Sequence, residues 1–302
     1  MKINLISTTI PYNDSHSNIW WPCPELEWVK LKGGDTITEP ITVITDELCL
    51  NPAVEKIPGM KIGWLIEPPC IKPASYNIEL WKEIQQFYTY IFTYDEELIK
   101  FNPIKFKLLR FGAVWISPEN CKVYPKNKVI DGVVHGGLPV SMVASHKTWA
   151  PGHKLRHEIM DKGWGLGANP SKWIDFYGTG TANVIGGKGE FPHTKEGRLL
   201  PFKDYQFSIV IENMQAKDYF TDKLLDCFAC GTIPIYWGAP NISDIFNGVI
   251  EFQTIDQLEH ILNTLPDYSS YLGTTLQNNE NIAQYASPDR NLYKELKKLK
   301  VV

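Results

Sequence analysis

The sequence predicts an α/β protein of two domains, and three observations lead there. Short β-branched and aromatic runs alternate with polar or helical segments along most of the chain. At 302 residues the chain is long enough for two domains that each bury a core. The stretch Phe207 to Pro240, FSIVIENMQAKDYFTDKLLDCFACGTIPIYWGAP, reads as a complete strand, loop, helix and strand.

Composition narrows the function classes. A net charge of -4 and a pI near 6.0 provide no basic field for a nucleic-acid backbone or an anionic membrane, so no nucleic acid is expected as a partner. No apolar run reaches the ~18 residues of a membrane span, and Met1 to Ser7 is too short for a signal-peptide core, so there is no strong membrane signal and a cytoplasmic protein is expected. The six cysteines are scattered and read as reduced thiols. Cys227 and Cys230 have the spacing of a redox or zinc half-site, but they fall inside a helix and no second pair exists, so they read as packing residues.

In chain order, Lys2 to Ile10 is the first strand and Asn13 to Asn18 a polar loop. Trp20, Trp21 and Trp28 are read as core. Ile41 to Thr45 and Lys61 to Ile66 are further strands, and Glu67-Pro68-Pro69 holds a carboxylate just beyond the second of them. On its own that carboxylate is either a solvated loop residue or a group held toward a substrate. Trp81 to Phe87 is a helix, Tyr88 to Thr93 a strand and Asp95 to Lys100 a short helix. Asp95-Glu96-Glu97 complements the dipole of that helix rather than forming a metal motif, and no D-x-D occurs anywhere. Ser117 to Pro139 is rich in Pro, Lys, Asn and Gly and reads as the linker, which places the domain boundary at 138/139.

The second domain opens with a strand, Val140 to Ala144, a loop with His146, Lys147 and Trp149, and a helix from His153 to Asp161. His153 and His157 share one helical face but lack a third ligand, so they read as surface histidines. Trp173 to Gly178 is a strand and turn, and Gly178 to Gly189 a flexible loop without phosphate-loop spacing. In the central unit Thr221 caps the helix, Asp222 sits where the dipole favours an anion, and Gly231 ends it. Glu212, Asn213, Lys217, Tyr219, Asp222 and Lys223 all follow the first strand, where an open parallel sheet binds its ligands. By local pattern alone they are either a binding site or the turn and cap residues of a plain βαβ unit. A short helix at Asn241 to Phe246, a strand at Val249 to Phe252 and an amphipathic helix through Leu262 follow, and the Lys-rich tail from Gln284 to Val302 reads as a solvated end.

The pattern E-N-x-Q-x-x-x-Y-x-T-[E/D]-K, a helix, and then G-T-I-P-I-Y-W-G-x-P resembles the nucleotide-sugar half of the family-10 glycosyltransferases, the α1,3-fucosyltransferases. About thirty consecutive positions carry the resemblance, weaker similarity runs from Val140 to Phe246, and the first half is similar only at isolated points. The resemblance implies a GT-B type fold, two Rossmann-like domains facing each other across a cleft, with residues 1–138 on the acceptor side and 139–302 binding the nucleotide sugar. It implies an inverting enzyme that moves fucose from GDP-fucose, its donor substrate, to a hydroxyl of a glycan acceptor, with no cofactor and no metal required. Trp64 to Pro69 is similar to the family's strand-E-[S/P]-P segment, which implies that Glu67 is the catalytic base. Asn213 and Tyr219 match the family's donor-binding Asn and Tyr, and Lys223 its donor-binding Lys. Asp222 stands where the family has Glu, one methylene shorter, as the carboxylate beside the reacting sugar. Arg156 resembles a diphosphate ligand at the start of a helix; the loop before it is longer than in the family, which leaves Lys147 and Lys154 as alternatives. Two other readings stay open: the same chemistry with another sugar nucleotide, and a non-catalytic glycan-binding protein.

Overall fold

The computed structural model describes residues 1–10, 15–130, 133–136, 138–164 and 174–302. Asn13, Asp14, Gly137 and Trp173 lie outside the described residues. The chain forms two compact units. One comprises Met1–Ala113, Ala216–Tyr219 and Gln284–Val302, and the other Val114–Gln215 and Phe220–Ala283. The 138/139 position therefore falls inside the second unit.

The first unit is a parallel six-stranded sheet: β1 (Lys2–Ile6), β2 (Glu27–Lys30), β3 (Ile41–Thr45), β4 (Met60–Trp64), β5 (Tyr90–Thr93) and β6 (Phe106–Leu108), in the order β2-β1-β3-β4-β5-β6. β3 is buried at every position, because both faces of a parallel sheet are covered. Helices α1 (Ile78–Ile84) and α2 (Glu96–Phe101) belong to this unit. Asp95 caps α2 by accepting the Leu98 N–H at 2.9 Å, the helix-start role that its acidic run implied. Trp28 is buried in the core, while Trp20 and Trp21 are half-buried.

The second unit contains an antiparallel strand pair, β7 (Asn127–Ile130) and β8 (Val133–Gly136), inside the segment read as a linker. Its sheet is β9 (Leu138–Val143), β10 (Ile174–Tyr177), β11 (Gly187–Gly189), β12 (Tyr205–Ile211), β13 (Ile233–Trp237) and β14 (Ile250–Glu251), all parallel. The spatial order β11-β10-β9-β12-β13-β14 is the doubly wound 3-2-1-4-5-6 arrangement, so the strand order reverses between β9 and β12. β11 lies within the glycine-rich stretch read as a flexible loop. Its helices are α3 (Pro151–Asp161), α4 (Asp222–Ala229), α5 (Ile255–Asn263) and α6 (Leu272–Asn281). Cys227 and Cys230 are fully buried, and burial pushes both thiols up, as expected of packing residues rather than nucleophiles.

The tail corrects its reading as a solvated end. α7 (Pro288–Lys298) returns to the first unit, where Leu292 and Leu296 are fully buried in the core around β1. Asp289, also fully buried, accepts the Ser17 N–H at 2.8 Å and the Trp28 indole N–H at 2.9 Å. The i, i+4 leucine pair was masked by the surrounding lysines, whose charged ends point outward from an amphipathic helix. Among the described residues no helix is long and apolar enough to cross a membrane.

Candidate nucleotide-sugar site

The reversal of strand order between β9 and β12 leaves a crevice beyond their carboxyl ends, the standard ligand position of such sheets. Two helices begin there. α3 follows β9, and the Gly152 N–H in its first turn donates to Asn213 O at 2.9 Å, just past β12. A Cβ on Gly152 would lie 1.7 Å from Glu212 O, so only glycine lets the helix come this close. One turn further, Arg156 is buried and its guanidinium donates to Ile211 O. Of the alternatives to Arg156, Lys147 and Lys154 are both exposed, and the Lys147 ammonium sits 5.5 Å from the Trp149 ring centroid.

α4 is the second helix, and a buried carboxylate organises its start. Glu212, fully buried, accepts the Thr221 N–H and the Thr221 hydroxyl, each at 2.8 Å. The Lys223 ammonium lies 3.6 Å from the same carboxylate and donates to Thr221 Oγ1 at 3.1 Å. Burial pushes the Glu212 carboxyl up, while Lys223 and the Thr221 bonds pull it back. Glu212 therefore fixes both the cap of α4 and its first cation. Asp222 occupies the first turn of α4 and is half-buried beside Lys223. Gly231, at φ 67°, is the left-handed stop that the sequence placed there.

A small cavity of about 50 Å³ opens on these residues, with Val143, Phe191 and Ile211 as apolar walls and Arg198, Asp222 and Lys223 as charged ones. Arg198 was missed by sequence reasoning. It comes from a short 3-10 turn with no motif, and only the fold sets its guanidinium 5.5 Å from the Trp115 ring centroid and 6.0 Å from that of Phe191. Deeper in α4, fully buried Asp226 has its carboxyl pushed well up by burial and accepts the Trp115 N–H at 2.6 Å.

His153 corrects its reading as a surface residue. It is buried at the third position of α3, and its Nδ1 accepts the Ala150 N–H at 3.2 Å. Burial, helped by Arg156 and Lys147, lowers its pKa from 6.5 to about 4. An unfolded chain takes up this proton below about pH 6.5 and the folded one resists it down to about pH 4, so stability falls as pH drops through that window. Denaturant midpoints measured from pH 7.5 to 4.5 should decline more steeply for the wild type than for His153→Gln.

Glu67 and Tyr219 are placed in the first unit. Glu67 is half-buried, three residues past the end of β4. Its N–H donates to Asp46 Oδ1 at 3.0 Å and its carbonyl accepts the Tyr76 hydroxyl at 2.6 Å. The Tyr76 hydroxyl also reaches that of Tyr94 at 3.3 Å, and the Tyr94 ring lies 5.1 Å from that of Tyr219. Neighbouring Asp218, at φ 62°, is held by Arg110 at 2.7 Å, and Lys217 by Glu96 at 3.4 Å. The structure thus collects Arg156, Asn213, Asp222 and Lys223 around one switch point, and joins Glu67 to Tyr219 through two tyrosines in the other unit.

Residues 171–275 match glycosyltransferase family 10 (fucosyltransferase), C-terminal part. This region is a family-10 glycosyltransferase domain. A 75-residue stretch is 36% identical to an alpha-(1,3)-fucosyltransferase of Helicobacter pylori, covering 23% of this chain and 14% of that protein. The chain thus spans only a small part of the length of that curated relative. An α1,3-fucosyltransferase crystal structure with GDP-fucose superposes at a TM-score of 0.52 with 16% identity, over 98% of this chain and 89% of the other. The lipopolysaccharide outer core galactosyltransferase WaaB superposes at 0.57 with 12% identity, over 98% of this chain and all of the other, 100%. At these identities the likeness establishes the fold, which is GT-B. The family-10 region contains Glu212, Asn213, Asp222, Lys223 and Arg198, while Glu67 and Arg156 lie outside it.

Proposed function

We propose that the chain is an inverting, metal-independent fucosyltransferase that moves fucose from GDP-fucose to a hydroxyl of a glycan acceptor. The observation that carries this reading is the Glu212, Thr221 and Lys223 cluster at the switch point, inside the family-10 region. Breaking the sugar–diphosphate bond leaves negative charge on GDP, which calls for fixed cations and helix N-termini. Lys223 and the first amides of α4 supply them here, and Arg156, held against Ile211 O beside α3, adds a second cation. Asn213 and Tyr219 bind the donor. Asp222 faces the positive charge that develops on the sugar ring, as a carboxylate does in glycoside chemistry. Glu67 takes the proton of the attacking acceptor hydroxyl, and the single displacement inverts the anomeric centre. The protein works in the cytoplasm with its thiols reduced.

Calorimetric titration of the full chain with GDP, UDP, CMP and GDP-fucose, with and without EDTA, tests the reading. Selective GDP and GDP-fucose binding, unchanged by EDTA, and GDP release from GDP-fucose are expected. Tighter UDP binding would move the assignment to another sugar nucleotide, a reading that the shorter Asp222 leaves open. No nucleotide binding at all would leave a glycan-binding protein on a transferase fold.

A further inference from the structure

Asp46 follows β3 immediately, at the point where the strand order of the first unit reverses between β1 and β3. It combines two unfavourable features. Its backbone is left-handed at φ 50°, where side chains other than glycine are strained, and its carboxylate is almost fully buried. Strain of this kind persists where the surroundings over-determine it, and such places cluster at functional sites.

The surroundings here are specific. Asp46 Oδ1 accepts the backbone N–H groups of Ile66 at 2.8 Å and Glu67 at 3.0 Å, and Oδ2 accepts the Thr9 hydroxyl at 2.8 Å. Past the end of β4, these two amides have left the strand ladder and are satisfied by a side chain. Tyr76 closes the other side of the same residue through the Glu67 carbonyl. The Thr45 hydroxyl donates to Ser7 Oγ at 2.7 Å, which ties the ends of β1 and β3 beneath the carboxylate. Burial pushes the Asp46 carboxyl up, and its three hydrogen bonds oppose that shift.

We infer that Asp46 is a positioning residue for the proposed base: by clamping the Ile66 and Glu67 amides it fixes where the Glu67 carboxylate stands. The inference rests on the reading of Glu67 given above. It assigns no proton transfer to Asp46 itself. A general base must be held within a few tenths of an ångström of the proton it takes, and a misplacement of about 1 Å costs about 10²-fold in rate.

The test uses Asp46→Gly, which removes the carboxylate and relieves the strained φ, and Asp46→Asn, which keeps an oxygen for both amides. With GDP-fucose and either a glycan or water as acceptor, Asp46→Gly should lower kcat about 10²-fold with KM for the donor changed by no more than about threefold. Asp46→Asn should recover most of that rate. The double variant Asp46→Gly, Glu67→Gln should be no slower than Glu67→Gln alone, because a residue acting only through Glu67 has nothing left to position. Amide hydrogen exchange at Ile66 and Glu67 should quicken in Asp46→Gly and not in Asp46→Asn. Should Asp46→Gly fail to fold, Tyr76→Phe carries the same cycle from the carbonyl side. Equal losses from Asp46→Gly in the wild-type and Glu67→Gln backgrounds, or unchanged amide exchange, overturn the inference. If Glu67→Gln is as active as the wild type, the base reading fails and takes the inference with it. If the wild type neither transfers nor hydrolyses the donor, the proposed function fails, while exchange still reads whether the clamp exists.

Discussion

Glu67→Gln is expected to lower sugar transfer by about 10² to 10⁴-fold while leaving GDP and GDP-fucose affinity unchanged, the range that general-base catalysis contributes. The substitution keeps the shape of the side chain and both backbone clamps, since Asp46 and Tyr76 bind the main chain of Glu67 and not its carboxylate. A loss confined to kcat identifies a group needed in the transition state, whereas a rise in KM alone would mark an acceptor contact. The measurement is initial-rate transfer with calorimetric binding of GDP on the same preparations.

Lys223→Ala is expected to act twice. Losing a charge-assisted contact to the diphosphate should weaken GDP binding by about 10 to 100-fold, the equivalent of about 1.5–3 kcal/mol. Losing the cation beside Glu212 should also destabilise the fold by about 1–3 kcal/mol, because a fully buried carboxylate keeps only its Thr221 bonds. The two effects are separable. Adding Glu212→Gln removes the stranded charge, so the double variant should regain much of the stability and none of the GDP affinity. The pH dependence has a definite sign. Without Lys223 the Glu212 carboxyl rises further above its ordinary 4.5. A raised carboxyl favours the protonated fold, so its contribution is present below about pH 4.5 and lost as pH rises through the folded value. The deficit of Lys223→Ala should therefore shrink toward acid pH, read as denaturant midpoints for the single and double variants.

Stability and binding are coupled at this position by the fold. A single alanine variant that fails to bind GDP would report a missing ligand or a loosened α4, and only the double variant tells them apart.

Much of the second unit's centre could be read locally. β12, α4 and β13 lie within two residues of the predicted strand, helix and strand, since a β-branched run, a Thr cap and a terminal Gly each act over a few residues. β3 was predicted residue for residue, because a buried parallel strand is a short apolar run bounded by polar chain. Other elements were not legible. β2 offers Glu27-Trp28-Val29-Lys30, too short and too mixed for any period to show, and it forms because β1 pairs with it. α7 is amphipathic, yet its direction of burial depends on residues 272 and 261 positions earlier in the chain, Ser17 and Trp28 against Asp289.

By itself the sequence determined the chemistry available: a strand-end carboxylate at Glu67, a cap, anion and cation at Thr221, Asp222 and Lys223, and a long run resembling family 10. Only the tertiary structure decided which groups restrain one another. Glu212 meets Lys223 across eleven residues, Asp46 meets Glu67 across twenty-one, and Gly152 meets Glu212 across sixty. Such pairs leave no periodic trace in the chain, because the distance between them is set by strand order and helix docking. Local rules fix elements such as β3, β12 and α4, and the reversal of strand order in each sheet fixes which loop ends share a crevice.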